Sequence, residues 1–573
     1  MACAACGPRL TFHGNTGDGE DPLSSTVDAL RAGAIVAIKG VGGYHLVCDA
    51  TNADALAALR ARKQRPGKPL ALMAPLAGDD GLDAVRTVAS PDREQSALLL
   101  TPERPIVLLP ARAGALPEAV APGLSEVGVM LPYSPLHHLL LDSFGGVVVA
   151  TSGNLSGEPV LTDARQVEQR IGHVADAFLH HDRPIVRPAD DSVYRSVGGR
   201  PRPMRLGRGA APLEIDLPFE LAAPVVAAGS HMKNTVALGW GRRLVLSPHI
   251  GDLDSARSLA VHRQVIADLQ SLYRVEARSC VCDAHPDYGS SRWAERSGLE
   301  VATVFHHHAH ASALAIEFPE PGPWLVFAWD GVGLGDDGTL WGGETLYGGP
   351  GAWTRVATFR SFRLPGGERA AREPWRSALA LAWELDRAPR ARTRDMRVLK
   401  LAWETGINAP STSAVGRIFD AAASLAGLVH TARYEGEAPM RLEQSSGPLP
   451  DAPSFPVTER DGMLVADWGE LLDDMASADA TLAARAARFH SRMASTLLCI
   501  AESSRERLGV NRVGLCGGVF QNRLLTDRAI ERLEAGGFEV CLPSLLPVND
   551  ASIAAGQIVE HAFTASCGVE RSP

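Results

Sequence analysis

Four histidines crowd five positions in Val304-Phe-His306-His307-His308-Ala-His310, at the opening of the helical run ASALAIEF. On a helix, His306 and His310 lie one turn apart on a common face, while His307 and His308 point elsewhere. That spacing belongs to metal-ligand pairs. A polar helix start with unlinked histidines is the competing reading, and crowding of this kind away from a terminus disfavours it. A third ligand is needed. Asp550, in PVNDASIAAG, sits where a strand-to-loop segment enters a helix. Aspartate is also a strong N-cap, so this position carries both readings. Two imidazoles and one carboxylate suit zinc or iron(II). Such an ion binds a phosphate or polarises a carbonyl as a Lewis acid.

Two glycine-rich turns accompany these residues. Asp330-Gly331-Val-Gly333 follows the apolar strand WLVFAW, and Gly517-Gly518-Val-Phe-Gln-Asn522 follows RVGLC. Turns of this kind expose backbone donors to nucleotide phosphates, although either one alone is equally a tight turn. A separate basic cluster lies near the start of the chain: Lys39-Gly-Val-Gly-Gly, then Arg62-Lys63-Gln-Arg65-Pro-Gly-Lys68. Glycines let backbone N–H groups approach an anion, and the cations neutralise it. Basic helix ends are common, so this stretch gains weight only from a second cluster. Thr151-Ser152-Gly-Asn154 follows the apolar run GVVVA, at the strand end where α/β sheets bind ligands. No nucleophile–base motif is recognisable there. Charge neutralisation and positioning are the chemistry on offer.

The elements that must position these residues follow from the patterning. A chain of 573 residues holds about three units at roughly 100–200 residues each. Helical runs such as TVDALRAG alternate with β-branched runs such as AIVAIKG and GVVVAT, which predicts a mixed α/β unit over 10–209. The stretch APLEIDLPFELAAP, 210–223, reads as a linker because it has turn residues and no sustained period. From 224 to 573, strand blocks flank a long helical section, 369–500, which predicts a two-lobed α/β architecture. Hydrophobic residues make up 45% and charged residues 21%, an ordinary globular composition. No apolar run is long enough to span a membrane. The net charge of −10 disfavours a nucleic-acid-binding surface. Nine scattered cysteines make no disulfide framework, so a reducing cytoplasm is expected. Cys3 and Cys6 form a lone CxxC; a structural zinc site needs four ligands, so no metal is expected there. Cys280 and Cys282 read as small buried hydrophobes.

The segments AIKGVGGYHLVCDA, RARKQRPGKPLALM, GVMLPYSPLHHLLL, TSGNLSGEPV and HDRPIVRPADDSV resemble, in that order, the YrdC-type domain of HypF carbamoyltransferases. The segments HMKNTVAL, HHHAH, DGVGLGDDGTLWGGE, TSAVGRIFDAAASL, YEGEAPMRLE, CGGVFQN and PVNDASIAAGQ resemble the C-terminal part of the same family, an actin-like (ASKHA-type) domain. The resemblance implies that Lys63 and Arg65, with Lys39, Lys68, Ser152 and Asn154, hold ATP and carbamate. It implies carbamoyl-adenylate and pyrophosphate as products, with Mg2+ accompanying ATP. It makes His306, His310 and Asp550 the metal ligands and catalytic centre. Asp330, Gly331, Gly333, Gly517, Gly518 and Asn522 become nucleotide-site residues of the second domain. The implied acceptor is the C-terminal cysteine of a HypE-type partner, where the carbamoyl group is the precursor of the cyanide ligand of [NiFe]-hydrogenase. Two motifs depart from the family pattern: HMKNT stands for G-L-K-x-T, and PVNDAS for NDGG. The second departure bears on the loop geometry around Asp550.

Residues 1–9, containing CAACGP, resemble the end of the family's zinc-finger region, and nothing resembles its acylphosphatase phosphate loop. An O-carbamoyltransferase acting on a small hydroxyl compound is the nearest alternative; that family carries the metal domain first, the opposite order. Transfer to tRNA would ask for a basic surface, and a non-catalytic nucleotide-binding scaffold would not need the ligand set. Because carbamoyl-adenylate hydrolyses readily, the two halves are expected to face each other across a closed chamber. With ATP and carbamoyl phosphate alone, the chain is expected to form carbamoyl-adenylate slowly, and faster once carbamate is supplied. Pyrophosphate release measures this, and fast hydrolysis of carbamoyl phosphate by the purified chain would contradict it.

Overall fold

The computed structural model describes residues 7–14, 21–155, 157–388 and 396–566. Cys3, Cys6 and most of the 1–9 stretch lie outside the described residues. Among those described, the strands form sheets of ten, six and nine members. No described helix is long and apolar enough to cross a membrane.

The ten-stranded sheet builds the N-terminal part, from Leu10–Gly14 at one edge to Arg200–Arg205 at the other. Its strand Val36–Lys39 is buried at every residue, as expected where both faces of a sheet are covered. Tyr44–Asp49 pairs antiparallel with Val148–Ser152, setting His45 opposite Ser152. The helix Ala53–Arg62 is capped by Asn52, whose side chain accepts from the backbone N–H groups of Asp54 and Ala55. It stops at Lys63, and Gln64 takes a left-handed φ of 51°. The chain thus reverses between Lys63 and Arg65, delivering both cations to the end of the Val148–Ser152 strand.

The C-terminal part is two-lobed, as the patterning predicts. One lobe is the six-stranded sheet, with Val225–Ala227, Ser279–Asp283 and Glu300–Val304 parallel at its centre and edge. The other is built on Trp324–Leu334, which pairs antiparallel with Leu340–Gly348 and parallel with Arg512–Cys516. The section 369–500 is mostly helical and includes the long helix Leu482–Leu508. Helices His306–Glu317 and Ile553–Ser566 lie against each other, and Gly556 makes this possible. A Cβ there would stand 1.9 Å from the Ala309 carbonyl oxygen. Cys280 and Cys282 are buried in Ser279–Asp283, and burial pushes their thiols up to about 12 and about 11.

The 210–223 stretch is more than a linker. Leu213–Asp216 is an edge strand of the six-stranded sheet, antiparallel to Arg243–Leu246. Four residues, LEID, alternate too briefly to register as a period in sequence.

The N-terminal sheet is clasped to the rest of the chain through a buried ion cluster. Arg195 Nη2 lies 2.8 Å from Glu126 Oε2 and 2.9 Å from Glu443 Oε1, and Nη1 donates to the Gln521 carbonyl at 2.9 Å. Arg202 donates to Leu542 O at 2.7 Å, and Asn549 Nδ2 to Met204 O at 3.0 Å. On the other lobe, Arg187 pairs with Asp268 at 2.8 Å, and Arg257 donates to Val160 O at 3.0 Å. Removing one partner of a buried ion cluster leaves uncompensated charge and costs about 3–5 kcal/mol. Arg195→Ala is therefore expected to lower stability by about that amount and to split calorimetric unfolding into separate N- and C-terminal transitions. A single transition at the wild-type temperature would refute this role.

Candidate active site

The helix His306–Glu317 begins directly after the strand Glu300–Val304, with Phe305 at the N-cap and no side-chain cap. His306 and His310 face the same way, their ring centroids 5.0 Å apart. Their orientation depends on a close approach by Gly333: a Cβ at that position would lie 2.6 Å from His306 Cδ2. The ladder between Trp324–Leu334 and its neighbour shifts register between Trp329 and Gly333. A bulge of this kind re-aims side chains, and here Asp330 turns toward the histidines. Its Oδ1 accepts from Gly518 N–H at 2.8 Å. Its Oδ2 is left 3.3 Å from His306 Nε2 and 3.6 Å from His310 Nε2.

Asp550 arrives from the opposite side. The two readings of this position separate cleanly, because Asn549 takes the cap by accepting from Ala551 N–H at 3.0 Å. The Asp550 carboxylate is thereby released, with Oδ2 3.9 Å from His306 Nε2 and Oδ1 3.7 Å from His310 Nε2. One donor atom from each of His306, His310, Asp330 and Asp550 lies within 4.8 Å of every other, and all four residues are buried. His306 Nδ1 is bound to Asp283 Oδ2 at 2.8 Å, which fixes the ring and turns Nε2 to the centre. His310 Nε2 is buried with no hydrogen-bond partner. Its neighbouring carboxylates are too distant for hydrogen bonds and spaced as ligands around an ion would be. The donor set therefore fits a divalent transition metal.

The electrostatics agree. Burial alone would lower the His306 pKa, but the hydrogen bonds to Asp283 and Asp330 outweigh it and raise the pKa well above normal. Burial alone would raise the Asp330 pKa, yet the two histidines hold it well below the carboxylate range. His307 points away: burial lowers its pKa, and neither ring nitrogen has a hydrogen-bond partner. His308 lies 3.9 Å from Glu560, away from the centre.

The remaining positions of the second domain are distributed as follows. Gly331 packs against Gly416, with Arg417 beside it; Arg417 pairs with Asp420 at 3.0 Å. Gly517 and Gly518 lie beside Trp329 and Asp330, and the Gly518 N–H is spent on Asp330 rather than left open. Asn522 has a structural duty. It caps the helix Arg523–Ala535 by accepting from Leu525 N–H, and its Nδ2 bonds His490 at 3.0 Å. Both ends of that amide are engaged within the fold.

In the N-terminal part, Lys63, Ser152 and Asn154 meet. Lys63 Nζ donates to Ser152 O, to Asn154 O at 3.1 Å and to Asn154 Oδ1 at 3.0 Å. Ser152 Oγ donates to Asn154 Oδ1 at 2.8 Å. Arg65 donates to Thr151 Oγ1 at 3.2 Å. Burial, then the nearby Arg65, pushes the Lys63 ammonium down to about 7. Lys68 keeps solvent access and is pushed down to about 8 by desolvation, with Arg65 and Arg205 adding to the effect. Lys39 is committed elsewhere, its ammonium donating to His181 O at 3.0 Å near Asp163 and Asp182.

Two residues of the candidate site are not legible as such in the sequence. Asp330 reads there only as a nucleotide-site residue, although a carboxylate at the end of an apolar strand is equally a ligand position. Asp283 closes the strand SCVCD in the same way, and only the fold shows that it backs His306.

Three family models match the chain. "Telomere recombination" (the Sua5–YciO–YrdC family) covers residues 28–207, "HypF Kae1-like domain" 220–317, and "Carbamoyltransferase, Kae1-like Domain, second subdomain" 326–557. Carbamoyltransferase HypF from Rhodobacter capsulatus is 41% identical, over 97% of this chain and 75% of that protein. The Synechocystis carbamoyltransferase HypF is 38% identical, over 95% of this chain and 73% of that protein. A full-length HypF solved in a phosphate- and nucleotide-bound form superposes with a TM-score of 0.94 at 34% identity, covering 100% of this chain and 76% of that one. The fold is thus a YrdC-like domain joined to a two-lobed actin-like one, and the chain belongs to the HypF family of carbamoyltransferases.

Proposed function

We propose that the YrdC-like part joins carbamate to ATP, giving carbamoyl-adenylate and pyrophosphate, and that the actin-like part passes the carbamoyl group to a cysteine thiolate. On this reading the acceptor is the C-terminal cysteine of a HypE-type partner, carbamoyl phosphate or carbamate is the donor, and Mg2+ accompanies ATP. The first domain is taken as 10–209, and the second as 224–573 together with the edge strand Leu213–Asp216 that precedes it. The observation that carries the reading is the convergence of His306, His310, Asp330 and Asp550 around a buried, unpartnered imidazole nitrogen.

In the first step a carbamate oxygen attacks the α-phosphorus of ATP and pyrophosphate departs. Lys63 and Arg65 neutralise the phosphates, while Ser152 and Asn154 orient the carbamate-derived group. In the second step the thiolate attacks the carbamoyl carbon, the bond to the phosphate oxygen breaks, and AMP leaves. A zinc or iron(II) ion held by His306, His310, Asp550 and Asp330 supplies Lewis acidity there. Asp283 keeps His306 oriented. Gly331, Gly333, Gly517 and Gly518 shape the adjoining nucleotide site.

A path between the two sites is supported by a series of charged groups that influence one another in turn. Lys68 lies in electrostatic reach of Arg65, Arg205, Glu435 and Asp252. The buried His249, whose pKa burial holds well down, lies within reach of Lys68, Arg205 and Lys233. Lys233 pairs with Glu435 and feels Asp550. An anionic adenylate moving between the sites would meet Lys68, Arg205 and Lys233 along the way.

His310→Ala is expected to lose the metal and abolish carbamoyl transfer to a cysteine-terminated peptide, while pyrophosphate release continues. Asp283→Asn should lower metal affinity by roughly 10–100-fold. Metal analysis and transfer assays decide, and wild-type metal content and transfer in His310→Ala would end the assignment. A second test uses the proton. With its pKa pushed down to about 7, Lys63 is largely neutral at alkaline pH and must regain a proton when phosphates bind. ATP affinity should therefore fall by up to about tenfold per unit as pH rises above 7, with proton uptake visible as buffer-dependent calorimetric heat. Lys63→Met should flatten the profile, and an unchanged slope in that variant would reject the assignment.

A further inference from the structure

A second group of metal-ligating side chains lies on the outer edge of the N-terminal sheet. Strand Leu10–Gly14 pairs antiparallel with Ala177–His181, with Thr11 opposite His180 and His13 opposite Phe178. Opposed residues share a face, so His13 and His180 are diagonal neighbours on the same side of the sheet. Over that face lies the helix Ala164–Ile171, which buries Val167 and Ile171 and sets Glu168 between the two rings. Glu168 Oε1 is 2.8 Å from His13 Nδ1 and 3.0 Å from His180 Nε2. The three donor atoms all lie within 4.8 Å of one another. Beside them opens a pocket of about 620 Å³, lined also by His173 and Asp176.

We propose that His13, Glu168 and His180 form a second divalent-cation site, of the zinc class, with three protein ligands and a coordination position open to this pocket. Two imidazoles and a carboxylate are a recognised zinc donor set, and catalytic-type sites of this kind keep one position free. Donor atoms around a tetrahedral zinc stand roughly 3.3 Å apart, so small side-chain rotations suffice. His180 is buried at 5% exposure, and its ring is held from behind. Tyr44 Oη lies 2.7 Å from His180 Nδ1, and Phe178 stacks on the ring. A phenol hydroxyl both donates and accepts. The same contact therefore orients His180 whether Nε2 carries a proton toward Glu168 or a metal. Nearby cations are already engaged: Arg62 pairs with Asp176 at 2.7 Å, and Lys39 donates to His181 O. The reaction proposed above uses none of these three ligands.

Cobalt(II) titration followed by d–d absorption tests the site, with His310→Ala as the background so that the central cluster is impaired throughout. The His310→Ala chain should bind one more cobalt ion with tetrahedral-type absorption than either His13→Ala/His310→Ala or Glu168→Gln/His310→Ala. Zinc should displace that ion. His13 is more than half exposed, so its removal is not expected to impair folding. In an otherwise wild-type chain, His13→Ala should leave pyrophosphate release and carbamoyl transfer unchanged. Equal cobalt stoichiometry and equal spectra in the three His310→Ala chains would overturn the proposal, whatever the outcome at the central cluster.

Discussion

Two carboxylates, Asp330 and Asp550, are buried against the same pair of imidazoles, and a third, Asp283, backs one of those rings. Negative charge packed so tightly away from water is costly unless compensated. Part of the compensation is internal, since the upward shift of His306 and the downward shift of Asp330 describe a proton held between acids. His310 shares in it at longer range, since Asp330 and Asp550 at 3.6 and 3.7 Å raise its pKa against burial. A cation at the centre satisfies all four groups at once, and much of the C-terminal architecture serves to keep them in place. The register shift at Asp330, the absent side chain at Gly333, the cap taken by Asn549 and the tight crossing at Gly556 each remove an obstacle to that convergence.

The N-terminal site poses the opposite problem. Lys63 and Arg65 are brought together by a helix end and a left-handed residue, with Asp190 the acid that acts on both. Burial pushes both groups down, with Arg65 adding to the effect at Lys63 and Arg60 and Arg205 adding to it at Arg65. In the proposed reaction, polyphosphate supplies the missing charge. One site thus gathers acids and the other bases, and each is preorganised for a ligand of the opposite sign.

Much of this was legible in sequence, and the exceptions share a cause. The His306/His310 pair follows from helical periodicity, because two side chains on one helix need no tertiary information to be placed together. The α/β alternation and the two-lobed order follow equally from local patterning. Which residues from distant segments join the pair does not. Asp550 could have capped its own helix, and the neighbouring Asn549 settles the matter through one backbone contact. Asp330 looked like part of a phosphate-binding turn because its local motif says nothing of a bulge formed with the next strand. Asn522 followed a glycine turn into the same reading, but its amide is consumed by a helix cap and His490. The strand Leu213–Asp216 was hidden by brevity, since its pairing partner rather than its composition makes it a strand.

The double position of Asp330 has a mechanistic consequence. One of its oxygens is held by the Gly518 backbone, in a turn proposed to face nucleotide, while the other faces His306 and His310. Any shift of that turn would move a group that faces His306 and His310. Linkage then requires the reverse as well: an ion that pulls on Asp330 Oδ2 stiffens the turn through Oδ1. On the proposed reading, nucleotide affinity and metal affinity would therefore be coupled through a single carboxylate, with no long pathway between the sites. In the proposed transfer this coupling has a direct use. Asp330 would then link adenylate binding at the Gly518 turn to an ion held by His306, His310 and Asp550.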